Sequence, residues 1–349
     1  MRGAVKVEKD FFCSCFSVLF RIESNGVPLW FSIILMSLHR PEQGLTRLEI
    51  FAIVAIICAV LTYFLPFPTG TSHRERTIVS NDLQELIDYR MQDVHHAHFQ
   101  EYLTMKSRER FGTWKRVAEA GSPEGQVLLG LCFLYGIGAP QDEAQAAEWF
   151  RKAAERGQAE GQFQLGQCYA LDRGIPGDEA EAAKWYRESA EQGHAEAQFS
   201  LGMAYYFGEG VPQDRTEGIE WFRQSAEQGL AESQSFLGTF YAGIDDTESI
   251  KWHRKAAEQG HGHSQYHLGR RYLSGEAVPR KETEGVKWFR AAAEGGHNEA
   301  QYMIGVCYFY GIGVAQSETE AVKWLRAAAE QGHEEAIELL QKIEGKSEE

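Results

Sequence analysis

The chain has 349 residues and a formal net charge of −15 at pH 7, with 50 acidic against 35 basic side chains. That balance argues against a nucleic-acid partner, because binding phosphates needs a basic face. The six cysteines fall into two groups. Cys13, Cys15 and Cys58 lie in an apolar N-terminal region, and Cys132, Cys168 and Cys307 recur at one position of an internal repeat. Equivalent helices in stacked repeats lie about 8–10 Å apart, and a disulfide needs Cα atoms within about 7 Å. The second group therefore reads as small buried thiols.

In chain order, residues 1–49 are apolar and basic, with two short apolar runs at 11–20 and 27–38. Residues 50–67 are 18 uncharged residues, which as a helix would reach about 27 Å, close to the roughly 30 Å hydrocarbon core of a bilayer. This stretch predicts a single membrane-spanning helix. Basic residues are denser before it (Arg2, Lys6, Lys9, Arg21, Arg40, Arg47) than after it (Arg74, Arg76). That bias places the repeats on the non-cytoplasmic side, unless the earlier apolar runs also insert. Residues 68–113 comprise a linker over 68–77 and a polar helix starting at Ser80 with Asn81 as its cap. The apolar residues of that helix, from Leu83 to Leu103, recur at helical spacing. His95, His96 and His98 lie on it, and they read as a solvated face rather than a metal site.

From residue 114 to 343 the chain is an array, with a short tail at 344–349. Copies run over 122–157, 158–193, 194–229, 230–260, 261–296 and 297–332, and a partial copy over 333–343. The period is 36 residues, falling to 31 in the shortened copy, which marks a solenoid. Each copy is numbered from the residue after the preceding closing glycine. Position 4 is small, position 8 aliphatic (Leu129, Leu165, Leu201, Leu237, Leu268, Ile304), position 9 always glycine and position 12 aromatic. Positions 4, 8 and 12 form one helical stripe. The glycine costs about 1 kcal/mol of helix propensity, so its recurrence predicts a close approach that a Cβ would block. A Gly-rich loop comes next, with Gly136, Gly208 and Gly311 suited to a left-handed cap. Asp142, Asp178 and Asp214 are placed to cap a second helix. That helix carries Trp149, Trp185, Trp221, Trp252, Trp288 and Trp324, read as large side chains packing against small Ala and Gly of the first. The hairpins bury their apolar faces only by stacking.

The pattern LGxxYxxGxGVxxD…A…WxxxAAExG resembles the Sel1-like repeat, a relative of the tetratricopeptide repeat. The resemblance implies an all-α fold, a right-handed α-solenoid of helical hairpins, that acts as an adaptor or scaffold for other proteins. Two departures stand out. The copy at 230–260 lacks the GxGV loop, and the copy at 261–296 has Ala277 for the second loop glycine and Lys281 for the capping aspartate. Both are expected to alter curvature locally without breaking the stack.

A protein or peptide partner is expected on another face of the first helix, at positions 3, 7, 10 and 14, which would line the concave surface. The candidates at positions 7 and 10 are Leu128, Leu131, Gln164, Gln167, Met203, Phe236 and Met303. Position 3 is acidic in most copies (Glu124, Glu160, Glu196, Glu232, Glu299), and these glutamates read first as residues favoured at helix N-termini. The copy at 261–296 differs, grouping His263, His267, Arg270 and Arg271 into a basic cluster suited to a partner's carboxylate. His263 and His267 have metal spacing but sit beside arginines, a poor cation site. The histidines at position 1 (His194, His261, His297, His333) read as structural. No cofactor is expected. The loop glycines lack a Walker lysine, and no isolated Ser/His/Asp or Cys/His set stands outside the frame. The alternatives are a secreted or periplasmic Sel1-like hydrolase-type enzyme, whose relatives pair cysteines within each repeat as this chain does not, and a regulatory subunit of a separate enzyme.

Overall fold

The computed structural model describes residues 71–92 and 98–346, an all-helical solenoid of fifteen helices with no strand among the described residues. An N-terminal pair, α1 (His73–Gln92) and α2 (Phe99–Glu119), precedes the repeats. The hairpins are α3 (Pro123–Tyr135) with α4 (Glu143–Ala154), α5 (Ala159–Ala170) with α6 (Glu179–Glu191), and α7 (Ala195–Phe207) with α8 (Arg215–Glu227). Then come α9 (Ala231–Tyr241) with α10 (Asp246–Glu258), α11 (Gly262–Ser274) with α12 (Glu282–Glu294), and α13 (Asn298–Tyr310) with α14 (Glu318–Glu330). The last helix, α15 (Glu334–Lys346), closes the array. The first helices α3 and α5 touch one another, as do α9 and α11. Second helices do so less, which puts the first helices on the inner, concave side.

The position-9 glycine is the closest approach within each hairpin. A Cβ on Gly130 would lie 2.5 Å from the Phe150 ring, on Gly202 2.8 Å from Phe222, and on Gly269 2.6 Å from Phe289. Tyr186, His253 and Leu325 take the same place against Gly166, Gly238 and Gly305. The large residue facing the glycine is therefore the one after each tryptophan. Phe150, Phe222, Phe289 and Leu325 have no exposed surface. The tryptophans, expected in that role, are mostly half-buried. They sit at the margin of the interface, where lysines lie over their rings, as Lys152 does on Trp149 at 3.9 Å. Trp252, in the shortened copy, is the buried exception.

Polar side chains join one copy to the next. The arginine two residues after each of the first five tryptophans donates to the position-12 tyrosine hydroxyl of the following copy, as Arg151 to Tyr169 at 3.2 Å, Arg223 to Tyr241 at 2.8 Å and Arg254 to Tyr272 at 2.9 Å. The buried position-5 glutamines Gln198, Gln234, Gln265 and Gln301 donate to Ala190, Ala226, Ala257 and Ala293 carbonyls of the preceding second helix. The same carbonyls accept from the closing-glycine amides, as Ala190 does from Gly193, so each glutamine adds a second bond that ties its copy to the preceding one. The caps form where expected: Asp142, Asp178 and Asp214 accept from backbone N–H groups of α4, α6 and α8. Asp245 does the same in the shortened copy, and Lys281 makes no cap bond. The position-1 histidines His194, His261 and His297 are N-caps, their Nδ1 accepting from the position-4 amide. Ala277 holds φ +60°, a left-handed conformation that costs a non-glycine residue roughly 1–2 kcal/mol. The stack continues through both irregular copies.

The predicted membrane-spanning segment 50–67 lies outside the described residues, as do Cys13, Cys15, Cys58, His95 and His96. Among the described residues no helix is long and apolar enough to cross a membrane. The polar helix begins at His73, inside the expected linker, because Ser72 and Glu75 form a reciprocal cap. The Glu75 amide donates to Ser72 Oγ at 3.2 Å, and the Ser72 amide to Glu75 Oε2 at 2.9 Å. Nor does that helix run on through Phe111. The apolar stripe serves two helices that pack on each other, with Tyr89 stacked on Tyr102 at 4.2 Å and Trp114 Nε1 donating to Asp82 at 2.8 Å.

The Gly269→Ala variant should lose about 1–2 kcal/mol of stability, overpacking against Phe289 outweighing the helix-propensity gain. Urea unfolding of this variant, and of Gly269→Ala with Phe289→Leu, measures the cost and its relief.

Candidate functional site

At the N-terminal end of the concave face the chain covers itself. Val79, Leu83 and Leu86 of α1 pack with Phe99, Leu103, Leu128, Leu131 and Leu134 in one buried cluster. Leu128 and Leu131, expected to meet a partner, are essentially fully buried in this cluster. They meet an N-terminal helix whose apolar stripe matches their spacing. Gln164 is buried too, donating to Glu160 Oε1 at 2.7 Å.

The end of α1 inserts Arg90 between copies. Its Nη1 and Nη2 donate to Glu160 Oε1 and Oε2, each at 2.7 Å, and Nη2 also reaches Glu196 Oε2. His194 Nε2 lies 2.8 Å from Glu160 Oε2. Phe163, stacked on His194 at 4.8 Å between ring centroids, lies 5.6 Å from the guanidinium carbon. Only 8% of the Arg90 side chain and 1% of Glu160 are exposed. Burial by itself would raise the Glu160 carboxyl, yet the Arg90 charge and the His194 and Arg90 hydrogen bonds outweigh it and hold the group below the usual carboxylate range. Burial likewise opposes the Arg90 charge, and the Glu160 and Glu196 carboxylates more than restore it. Glu160, His194 and Glu196 bring three donor atoms within 4.8 Å of one another, a set a divalent cation can use, and here the guanidinium supplies the positive charge. Glu160 and Glu196 thus bind an arginine as well as lying at helix N-termini. Sequence reading misses Arg90, since nothing local shows which distant glutamates a polar helix will meet.

Further along, the concave face is open. A cavity of about 570 Å³ is lined by Phe199, Met203, Tyr206, Phe236 and Phe240, with Glu232, Ser235, Thr239, His261 and His263. The aromatic rings form a connected set: Phe236 lies 4.1 Å from Phe222 and 5.2 Å, edge-on, from Tyr206. Of the predicted residues, Met203, Phe236 and His263 converge here. Gln167 is half-buried on α5, and Met303 packs with the core around Phe289. The position-14 residues Leu171, Phe207 and Tyr310 are more than half exposed, with Gly243 and Ser274 at that position in the two copies between Phe207 and Tyr310. Phe199, Tyr206 and Phe240 are not singled out by the sequence pattern; they occupy positions 6, 13 and 11, off the expected stripe.

Beside the cavity the basic cluster resolves into distinct parts. Arg271 is committed internally, donating to Asp246 Oδ1 at 2.8 Å and Glu276 Oε2 at 3.3 Å. It bridges the gap left where the shortened copy lacks its loop. Arg270 is exposed, its guanidinium 5.9 Å from the Tyr266 ring. His267 stacks on His253 at 4.8 Å and meets His263 edge-on at 4.4 Å. His253, which carries no signal in the sequence pattern, stands where other copies have Phe, Tyr or Leu against the position-9 glycine. Burial, then the nearby His267, His263, His261 and Arg271, push its pKa down to about 3. Burial, with His263, Arg270, Arg271 and His297, pushes that of His267 down to about 4. Cys132, Cys168 and Cys307 are free and buried. Burial pushes their thiols up, to about 12 for Cys132 and about 11 for the others, so these sulfurs are poor nucleophiles.

Arg90→Ala leaves the Glu160 charge buried without its partner and should cost about 3–5 kcal/mol, with Glu160→Gln in the same chain recovering part of it in a double-mutant cycle read by urea unfolding. The histidine pKa values are depressed on folding, so below their unfolded pKa near 6.5 the unfolded chain binds more protons. Stability is therefore full above that pH and falls as pH drops from about 6.5 towards 4, by up to about 1.4 kcal/mol per unit per group. His253→Phe should flatten that dependence when unfolding is measured across the same pH range.

The Sel1 repeat profile matches six consecutive segments, 123–158, 159–194, 195–230, 231–261, 262–297 and 298–333. Among solved structures, a protective antigen of uropathogenic Escherichia coli strains displaying an SLR fold is 35% identical, with a TM-score of 0.62. The match covers 66% of this chain and 51% of that one, so this chain spans about half the length of that relative. A Sel1 repeat protein from Oxalobacter formigenes is 33% identical over 68% of this chain and 70% of its own, also with a TM-score of 0.62. No curated protein sequence matches. With six repeats in unbroken register over more than half of its length, the chain belongs to the Sel1 repeat family.

Proposed function

We propose that this chain is a non-catalytic scaffold that takes up a protein or peptide partner on its concave face, and that residues 50–67 anchor it in a membrane. Sel1-repeat proteins are generally protein-interaction scaffolds, and the family is mostly non-catalytic. The observation carrying the reading is the open aromatic cavity around Phe236, Met203 and Tyr206. It has the size and apolar lining of a recognition pocket and lies on the same face that α1 fills in the first copy. An apolar anchor from an extended or helical segment fits it, with Leu171, Phe207 and Tyr310 as further contacts. Arg270, with His263 and His267 beside it, suits a partner carboxylate at the cavity's edge, while Arg271 holds the irregular copies together. For the anchor, the support is the uncharged length of residues 50–67 and the basic residues before it, which favour repeats on the non-cytoplasmic side.

The test places a photo-crosslinking amino acid at position 236 or 203 of the full-length chain in its native membrane, and at Trp221 on the second helix as control. A partner crosslinked from 236 and 203, and lost with Phe236→Glu, is the expected result. Equal crosslinking from Trp221, or none from the cavity, overturns the reading. Protease protection of the repeats in the same membranes reads the orientation.

A further inference from the structure

The seat of Arg90 is built from four frame positions: the position-3 glutamate and position-6 aromatic of one copy, and the position-1 histidine and position-3 glutamate of the next. Most junctions in the array break this set. Gln158 and Leu230 replace the histidine at the first and third, Ser235 the aromatic at the fourth, and His263 the first glutamate at the fifth. One further junction keeps all four: Glu299, Tyr302, His333 and Glu335, between the sixth copy and the closing helix α15.

The ring stacking repeats with the residues. Tyr302 stacks on His333 with centroids 4.5 Å apart and planes at 26°, against 4.8 Å and 27° for Phe163 on His194. The carboxylates are set differently: Glu335 Oε2 lies 3.1 Å from His333 Nδ1 and Glu299 Oε2 lies 3.4 Å from His297 Nδ1, whereas in the filled seat His194 Nε2 meets Glu160. Cover differs too. Glu160 and Glu196 are 1% and 14% exposed beneath α1, whereas Glu299 and Glu335 are 57% and 67% exposed.

We propose that Glu299, Tyr302, His333 and Glu335 form a second guanidinium socket, which takes an arginine side chain from a partner segment. The filled socket within the same chain shows what these frame positions hold when a side chain reaches them. Two carboxylates set apart by a stacked aromatic–imidazole pair match the planar fork and the flat face of arginine, and match a lysine ammonium less well. The partner segment brings an apolar residue next to its arginine, as Phe99 lies beside Arg90 at 5.8 Å. The inference rests on the reading that the first-helix face receives a partner, and adds the chemistry by which one end of that partner is recognised.

The probe is a fluorescently labelled acetyl-Ala-Phe-Arg-Ala-amide peptide, with lysine and citrulline counterparts, titrated against the full-length protein by anisotropy. The arginine peptide is expected to bind about tenfold more tightly than the citrulline counterpart, the combined effect of two partly exposed ion pairs, and more tightly than the lysine counterpart because only the planar guanidinium fork serves both carboxylates and stacks on the rings. The double variant Glu299→Gln, Glu335→Gln should abolish that preference. Glu318→Gln with Glu330→Gln, the same change in charge on the exposed surface of α14, should leave it intact. Unchanged thermal midpoints establish that both variants are folded. Equal binding of the lysine peptide, equal loss in the control variant, or no binding at all overturns the socket. Because the probe does not touch the aromatic cavity, a failure here leaves the crosslinking result at Phe236 standing, and a failure there leaves the socket standing.

Discussion

The contact on which the array depends is the ring, or in the last copy the leucine, pressed against the bare backbone of each position-9 glycine. Within van der Waals contact of Phe150, Tyr186, Phe222, His253, Phe289 or Leu325 there is no room for a Cβ. The two helices of a hairpin therefore approach closely enough to exclude water from a thin interface. Each copy buries too little to stand alone. The arginine–tyrosine and glutamine–carbonyl bonds then fix the offset from one copy to the next, so side chains at one frame position line up along the concave face. That regularity is what allows a row of glutamates or aromatics to act together.

The same regularity explains how one face carries three different surfaces. At its start, α1 lies across Leu128 and Leu131 and drives Arg90 into a carboxylate pair, so the solenoid is closed by its own chain. In the middle, Phe199, Met203, Tyr206 and Phe236 are left uncovered around a cavity. Next to it the shortened copy removes a loop, and Arg271 fills the electrostatic gap by pairing with Asp246. The imidazoles of His253, His263 and His267 pack together there, and burial, with the neighbouring histidines and arginines, holds the His253 and His267 pKa values far below normal, so both are neutral rings at pH 7.

Much of this is legible from residues. The period, the two helices per copy, the closely approached glycine, the left-handed caps and the aspartate caps all arise from local chemistry repeated in register, and the structure has them. The cysteines at 132, 168 and 307 read correctly as buried thiols because their frame position lies on the packed side of the helix. The tryptophans mislead: Trp and the residue after it are both large and apolar, and only the helix rotation decides which faces the glycine. Position 3 reads as a helix-terminus preference, and that is only part of its role, because the Arg90 that uses two of its glutamates lies 70 residues from Glu160.

The sequence by itself determined the unit and its stacking, since periodicity, caps and glycine spacing are properties of a helix and its nearest neighbours. It marked the irregular copies as the informative ones. Only the tertiary structure decided which concave residues face solvent. Leu128, Leu131, Gln164, Met203 and Phe236 share one helical face by pattern, yet α1 covers the first two, a glutamate engages the third, and the last two remain at an open cavity. Burial on a solenoid surface depends on what lies across it, and here that is a helix placed by long-range packing which no local periodicity encodes.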